Sequence, residues 1–509
     1  MRAAFPLVLS AVLAAPAAAQ VVFDSPTLVN TGGLTQRVLV GDVNEDGLQD
    51  LLTAHFFFGG TPKLLLGTAP GQFGAPQPLP FGDVWDGVAR LADFDADGHL
   101  DLLSFYDQNP VTSLSVLLGH GDGTFEPPVG INGNFQNPID ADIGDFDADG
   151  HLDVAIYNGP FGFSTGSVLA VFGLGDGTFD EPVTITPTSL QFGSTGALRV
   201  GDVNADGFDD VVLTITGSAM PSMLSNGDGT FTQAPCQGCS IVFAKDFELG
   251  DLNGDGREDL VSTNTVLLAN AGGTFGFGGF LPSTFNPWTI ALADVDLDGA
   301  LDAIVGRNYT AMEFDPGQTV GDVHVMRGNG SGGFLTPGVV VSHVAQPREI
   351  AVADVDLDGR PDLVVADMES LVGGGARVLA NRTYGPGSPF LDLGGALGGT
   401  NGYPIQIASG TLLPGQPFSF RLASGPLNGQ AWHIVGLAAI NAPFKGGTLI
   451  PAATLVNGPF PLDGTGALNL AGNWPAGGSG LTLWVQYWMP AGGGPAGFVA
   501  SSGVRAQIP

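Results

Sequence analysis

Between residues 37 and 381 the chain alternates short apolar runs with polar stretches rich in Asp and Gly. The apolar runs are β-branched and leucine-rich, and far shorter than an ordinary helix. They recur in a fixed order. One run enters a polar loop, as at 37–41, 196–201, 288–293 and 348–353. A second leaves it, as at 50–55, 153–158, 210–215 and 362–367. A third follows at 63–67, 114–119, 168–173 and 376–381. A Gly-Asp-Gly-Thr-Phe turn comes next at 121–125, 175–179 and 227–231, with worn copies at 272–275 and 331–334. A fourth, Pro-bearing extended segment closes the unit, as at 126–131. Four short strands per unit, each bounded by turn residues, predict one blade of a β-propeller.

The polar loop is the same in every unit. It reads D-x-[DN]-x-D-G-x-x-D and begins at Asp42, Asp93, Asp145, Asp202, Asp251, Asp294 and Asp354. Successive copies lie 43 to 60 residues apart. Self-similarity with a period near this value marks a propeller or solenoid. The residue after each first Asp is always apolar (Val43, Phe94, Phe146, Val203, Leu252, Val295, Val355), so that position faces the core while its neighbours face the loop. The seventh unit stops after its third run, near Arg382. Residues 22–30 align with the fourth segments at 72–80 and 124–132, so they are expected to complete the last blade and close the ring.

The loop chemistry points to calcium. Ca²⁺ takes about six to eight hard oxygen ligands, and a turn glycine at position 6 allows the sharp bend they need. The expected ligands are side chains at positions 1, 3, 5 and 9 and the backbone carbonyl at position 7. They are Asp42, Asn44, Asp46 and Asp50 with Leu48, then Asp93, Asp95, Asp97 and Asp101 with His99. The third and fourth sets are Asp145, Asp147, Asp149 and Asp153 with His151, and Asp202, Asn204, Asp206 and Asp210 with Phe208. The fifth and sixth are Asp251, Asn253, Asp255 and Asp259 with Arg257, and Asp294, Asp296, Asp298 and Asp302 with Ala300. The seventh is Asp354, Asp356, Asp358 and Asp362 with Arg360. Position 12, a bidentate Glu in an EF-hand, is Thr, Ser or aliphatic here, and position 9 starts a strand. The ion would therefore tie a loop to a β-strand, and up to seven structural calcium ions are expected. A solvated Asp/Gly turn explains one such loop but not seven with fixed spacing. The side chains of His99 and His151 are expected to face solvent.

Charge follows from these loops. The net charge is −34, and half of the 50 acidic residues sit at ligand positions. Such a surface repels nucleic acid and anionic membrane. Charged residues are only 13%, with 80 Gly and 37 Pro, which suits strands and tight turns rather than helices. Residues 1–19 read as a signal peptide: Arg2, an apolar run, then small residues before Gln20. Export would supply calcium at the levels that extracellular modules use. No later run is long enough to span a bilayer. The Cys236–Cys239 pair reads as a local disulfide in an exported protein, since the βαβ context of a redox motif and further zinc ligands are both missing.

The seven loops, together with GQFGAP at 71–76, resemble the FG-GAP/VCBS repeat family. The resemblance spans about residues 21–383 and implies the seven-bladed propeller of integrin α-subunits. It further implies partner binding on the face opposite the calcium loops. The organisation expected is a signal peptide (1–19), a propeller (20–384), a linker (385–390) opened by Gly-Pro-Gly-Ser-Pro, and a C-terminal domain (391–509). That last part has no calcium loop, few charges, and four of the six Trp (Trp432, Trp474, Trp484, Trp488). Alternating runs at 417–422 and 481–488 predict a small β-sandwich, and the domain resembles those appended to many secreted bacterial proteins. Its Trp residues are expected in the core, with a carbohydrate-stacking platform as the alternative.

Function is read as a secreted calcium-stiffened binding or adhesion module for a protein or glycan. A monomer is expected, with no nucleic-acid partner and no catalysis. No nucleophile elbow, phosphate loop or zinc-protease motif occurs, and the remaining histidines form no cluster. The alternatives are an extracellular polysaccharide lyase or hydrolase, and a lectin acting through the C-terminal domain.

Overall fold

The structure is a computed structural model of the chain. It describes residues 21–508 apart from 25, 56–61, 80–88, 108–111, 132, 134, 136–137, 160–165, 187–195, 216–221, 235–245, 282–286, 309–320, 337, 343, 345, 369–374, 384–389, 393–404, 411, 424, 446, 464–465, 475–480, 492–496 and 502–503. The signal-peptide segment, the cysteine pair and most of the linker lie outside the described residues.

Seven four-stranded antiparallel sheets follow one another along the chain. Blade 1 is built from Thr35–Gly41, Asp50–His55, Lys63–Leu65 and Gln77–Pro78. Blade 2 uses Ala89–Ala92, Asp101–Asp107, Thr112–Leu117 and Val129–Gly130. Blade 3 uses Pro138–Gly144, Asp153–Asn158, Ser167–Val171 and Val183–Thr184. Blade 4 has Gly196–Gly201, Asp210–Ile215, Ser222–Ser225 and Phe231–Gln233. Blade 5 has Phe247–Gly250, Asp259–Ser262, Thr265–Ala269 and Phe275–Phe280. Blade 6 has Pro287–Ala293, Asp302–Asn308, Gly321–Met326 and Val339–Ser342. Blade 7 takes Pro347–Ala353, Asp362–Asp367 and Gly375–Leu379 from its own repeat and Thr27–Val29 from the N-terminus. The borrowed strand pairs Thr27 with Val378 and Val29 with Ala376.

The second strand of each blade carries apolar side chains on both faces, because each blade is covered by a neighbour on either side. Ile156 and Tyr157 are adjacent and both fully buried. They point to opposite faces, Ile156 toward blade 2 and Tyr157 toward blade 4. Seven apolar clusters result, each shared by two consecutive blades, and the last joins blade 7 to blade 1 through Val364, Val378, Val38 and Leu51. The sheets therefore form a closed ring, a seven-bladed propeller. Ion pairs between neighbouring first strands reinforce it: Arg37 with Glu349, Arg90 with Asp142, and Arg199 with Asp140, Asp246 and Glu248.

The C-terminal part is a separate sandwich. One sheet runs in the order Phe390–Asp392, Val504–Gln507, Thr482–Pro490, Gln430–Phe444 and Gly447–Pro461. The other joins Ile405–Gly410, Pro417–Ala423 and Leu468–Asn473. Phe420, Leu422, Val485, Tyr487 and Val504 fill the space between them.

Candidate metal centres

Each acidic loop joins the first strand of its blade to the second, so all seven lie on one face of the ring. A repeated set of hydrogen bonds fixes the loop. Position 1 accepts the N–H of the position-6 glycine, as in Gly47 to Asp42 at 2.8 Å and Gly98 to Asp93 at 2.9 Å. Position 5 accepts the N–H of position 7, as in His99 to Asp97 and His151 to Asp149, both at 2.8 Å. These bonds wind the loop so tightly that position 4 is left-handed. Glu45, Ala96, Ala148, Ala205, Leu297 and Leu357 all have φ between 54° and 62°. Such a conformation is disfavoured for residues with a Cβ.

Position 9 is a double tether. Asp50, Asp101, Asp153, Asp210, Asp259, Asp302 and Asp362 are fully buried. In each, Oδ2 accepts the N–H of the apolar position-2 residue, as in Phe94 to Asp101 at 2.7 Å. Oδ1 accepts an N–H just past or at the end of the third strand: Gly67, Gly119, Gly173, Ser225, Ala269, Gly328 or Asn381, at 2.6–2.9 Å. The approach is close enough to dictate glycine. A Cβ on Gly119 would sit 2.3 Å from the Leu100 carbonyl oxygen, and one on Gly173 2.2 Å from that of Leu152. Sequence spacing marked position 9 only as a ligand. Its partner lies on a strand ten to twenty-six residues away, too variable a distance to read from the motif.

Positions 1, 3 and 9 converge. Carboxylate oxygens of Asp93, Asp95 and Asp101 lie within 4.8 Å of one another, as do those of Asp145, Asp147 and Asp153. The same holds for Asp294, Asp296 and Asp302, and for Asp354, Asp356 and Asp362. The first, fourth and fifth loops carry Asn44, Asn204 and Asn253 at position 3. Their amide oxygens accept the N–H of position 5, while their Nδ2 groups donate to Asp46, Asp206 and Asp259. The donor set suits a hard divalent cation. Asp296 is 1% exposed and neither of its oxygens has a hydrogen-bond partner, and Asp145 Oδ1 is likewise buried and unpartnered. Such orphaned acceptors are rare unless something else satisfies them. Without a cation the carboxyls are strained electrostatically. Burial, with a contribution from neighbouring carboxylates, pushes Asp153, Asp210 and Asp302 up to about 7 and Asp296 to about 6. Asp50, Asp101 and Asp259 are raised for the same reason.

The loops also grip the next blade. The carbonyl of position 2 accepts a hydrogen bond from a turn of the following blade in most joints. Gly123 donates to Val43 at 3.0 Å, Gly177 to Phe94 at 3.3 Å, Gly332 to Leu252 at 3.1 Å and Gly71 to Val355 at 2.7 Å. Side chains do the same elsewhere: Ser225 Oγ to Phe146 at 2.6 Å, and Asn381 Nδ2 to Val295 at 2.9 Å. The position-7 side chains join in. His99 and His151 do not simply face solvent, as sequence alone suggests. Their rings lie over Gly121 and Gly175, and His99 Nδ1 meets Glu45 of the preceding loop. Glycine in the turn leaves room for the ring, which the motif does not reveal.

Among the described residues, arginine side chains approach three of the loops, and in the sixth Arg327 Nη1 lies 3.8 Å from Asp296. Arg257 contacts Asp255 of its own loop. In the seventh loop, Arg360 contacts Asp358, and Arg382 reaches Asp356 at 2.6 Å and Asp358 at 2.9 Å. In the C-terminal sandwich, Trp474 packs in the core against Phe418. Trp432, Trp484 and Trp488 share the opposite, outer face of the larger sheet. There Trp488 is buried beside Phe444, while Trp432 and Trp484 are half-exposed. Alternation places Trp488 off the core facing Val485 and Tyr487, so only one of the four Trp fills the sandwich interior.

Four segments match an FG-GAP-like repeat model: residues 42–104, 93–156, 202–262 and 251–305. Each begins at the first Asp of a loop. The chain is also 25% identical over 332 residues to the T-cell immunomodulatory protein of Rattus norvegicus, covering 60% of this chain. The match spans 54% of that relative, about half its length. Among solved structures, the V. cholerae biofilm matrix protein Bap1 aligns over 96% of this chain and 67% of its own, at 11% identity and a TM-score of 0.29. No helix among the described residues is long and apolar enough to cross a membrane.

Proposed function

We propose that this protein is a secreted, calcium-stiffened β-propeller that binds a protein or glycan ligand without catalysis. The observation that carries this reading is the buried Asp296, whose oxygens accept no hydrogen bond and face the Arg327 guanidinium at 3.8 Å, set among carboxylates that converge on one point. The side chains at positions 1, 3, 5 and 9, with the position-7 carbonyl, would hold the ion. Calcium supplies charge neutralisation there and no reactive step. Stiffening the loop also stiffens the joint to the next blade, because the position-2 carbonyl is shared between them. A ring held in this way presents a rigid surface, and loops on rigid scaffolds commonly carry recognition. By the resemblance to the FG-GAP repeat family, ligand binding is assigned to the face opposite the calcium loops. The FG-GAP-like repeats and the similarity to an immunomodulatory protein support a binding role.

A lectin reading has its own support. Trp432 and Trp484 present half-exposed indoles on one outer sheet face, and such rings stack well on sugars. A glycan array probed with the full chain and with a Trp432→Ala, Trp484→Ala double variant separates the two. Equal binding by both places recognition elsewhere, and loss in the variant establishes the lectin. Release of reducing ends from plant or algal polysaccharides would overturn the non-catalytic reading.

The calcium part is tested by melting. Metal-free protein is expected to melt roughly 10 °C or more below calcium-saturated protein, since each site filled to about one hundred times Kd adds about 2.7 kcal/mol. Identical melting curves would sink it.

A further inference from the structure

The seventh loop contains a cation supplied by the chain itself. Arg382 lies just beyond the third strand of blade 7 and is only 7% exposed. Its Nη1 donates to Asp356 Oδ2 at 2.6 Å and to Asp358 Oδ2 at 2.9 Å, and its Nε donates to Asp24 Oδ2 at 2.9 Å. Its backbone N–H is bound to the Val22 carbonyl at 2.7 Å. Asp358 Oδ2 also meets the Arg360 guanidinium, and Asp358 Oδ1 holds the Arg360 N–H. Both oxygens of the position-5 carboxylate are therefore engaged by donors.

Asp354, Asp356 and Asp362 still bring oxygens within 4.8 Å, and Asp356 Oδ1 is unpartnered, so the seventh loop has the outline of the others. What differs is charge. Two guanidinium groups, always protonated, face four carboxylates, which halves the negative charge that loops 2 and 3 offer. A divalent ion entering there would meet repulsion from both at a few ångströms.

We infer that Arg382 is the resident cation of the seventh loop, and that the propeller closes there without calcium. Asp24 extends this ion network to the segment leading into Thr27–Val29, the strand that completes the ring. Calcium loss then loosens the other blade joints while the ring stays latched. Only the ion count rests on the calcium reading of the remaining loops, whereas the latch stands on the Arg382 geometry.

Hydrogen exchange of the full exported chain, with and without calcium, tests this alongside an Arg382→Gln variant. In the parent protein, calcium should protect the other six loops and leave 354–362 unchanged. In R382Q, 354–362 should gain calcium-dependent protection, and native mass spectrometry should show one more ion per chain. In chelator, residues 27–29 of R382Q should exchange at least about tenfold faster than in the parent, the effect of losing a buried charge-assisted hydrogen bond. Calcium protection of 354–362 in the parent, equal to that of the other loops, would overturn the inference. If no loop responds to calcium, the calcium reading fails, and the chelator arm still decides: equal exchange at 27–29 in parent and variant refutes the latch. Should R382Q not fold, Asp24→Asn removes the partner outside the loop. It should speed exchange at 27–29 and leave the first six loops responsive, and unchanged exchange would count against the inference.

Discussion

At the scale of single residues, the repeat is governed by how closely two backbones can approach around one buried carboxylate. Position 9 holds the loop on one oxygen and the third-strand end on the other, and four of the seven blades place glycine at the second contact. The glycine is there for space, not for φ. Gly119→Ala would force a Cβ to within 2.3 Å of the Leu100 carbonyl and displace the N–H that Asp101 accepts. A loss of about 2–3 kcal/mol is expected, read as a shift in denaturant midpoint at unchanged m-value. Gly130→Ala is the matched control. A Cβ there meets nothing within 4 Å, so its effect should stay within about 0.5 kcal/mol. Equal effects from the two substitutions would show that the tether geometry is not what fixes this glycine.

At the scale of the element, the borrowed strand decides whether the ring has an edge. Thr27–Val29 covers the open side of Gly375–Leu379, Val21 joins the cluster shared by blades 6 and 7, and Asp24 meets Arg382. Deleting residues 21–30 removes all three and exposes a strand edge. A destabilisation on the order of 3–5 kcal/mol and a rise in light scattering on heating are expected. A truncated chain that melts and scatters like the parent would refute the closing role. This pairing was legible in the sequence because the fourth segments share Pro and aromatic spacing with 22–30. The blades were legible for a related reason: a local motif recurred at intervals that only a repeat array tolerates. What escaped was every contact made across a joint. The turn glycines bonded to position-2 carbonyls, the Glu45–His99 contact and the Arg382 network all join residues that share no local pattern. The outer-face Trp residues escaped because alternation gives two faces without saying which one is covered.

At the scale of the whole molecule, the buried carboxylates make stability a joint function of pH and calcium. Asp153, Asp210 and Asp302 are raised by burial from the ordinary carboxylate value of 3.8 to about 7. In metal-free protein the folded state then binds more protons than the unfolded state between these limits. Stability must fall as pH rises through that window, by up to about 1.4 kcal/mol per pH unit for each such group, and level off above about pH 7. Glu258, pushed up to about 7 by burial and by Asp209 and Asp202, acts in the same direction. Calcium reverses the trend, because it binds the deprotonated carboxylates and so binds more tightly as pH rises. The rise in melting temperature on adding calcium should therefore be small near pH 5 and largest near pH 7.5. Melting of metal-free protein across this range, with and without added calcium, reads the difference directly. A calcium increment that is constant with pH would mean that the buried carboxylates do not hold the ion, even if the ion binds.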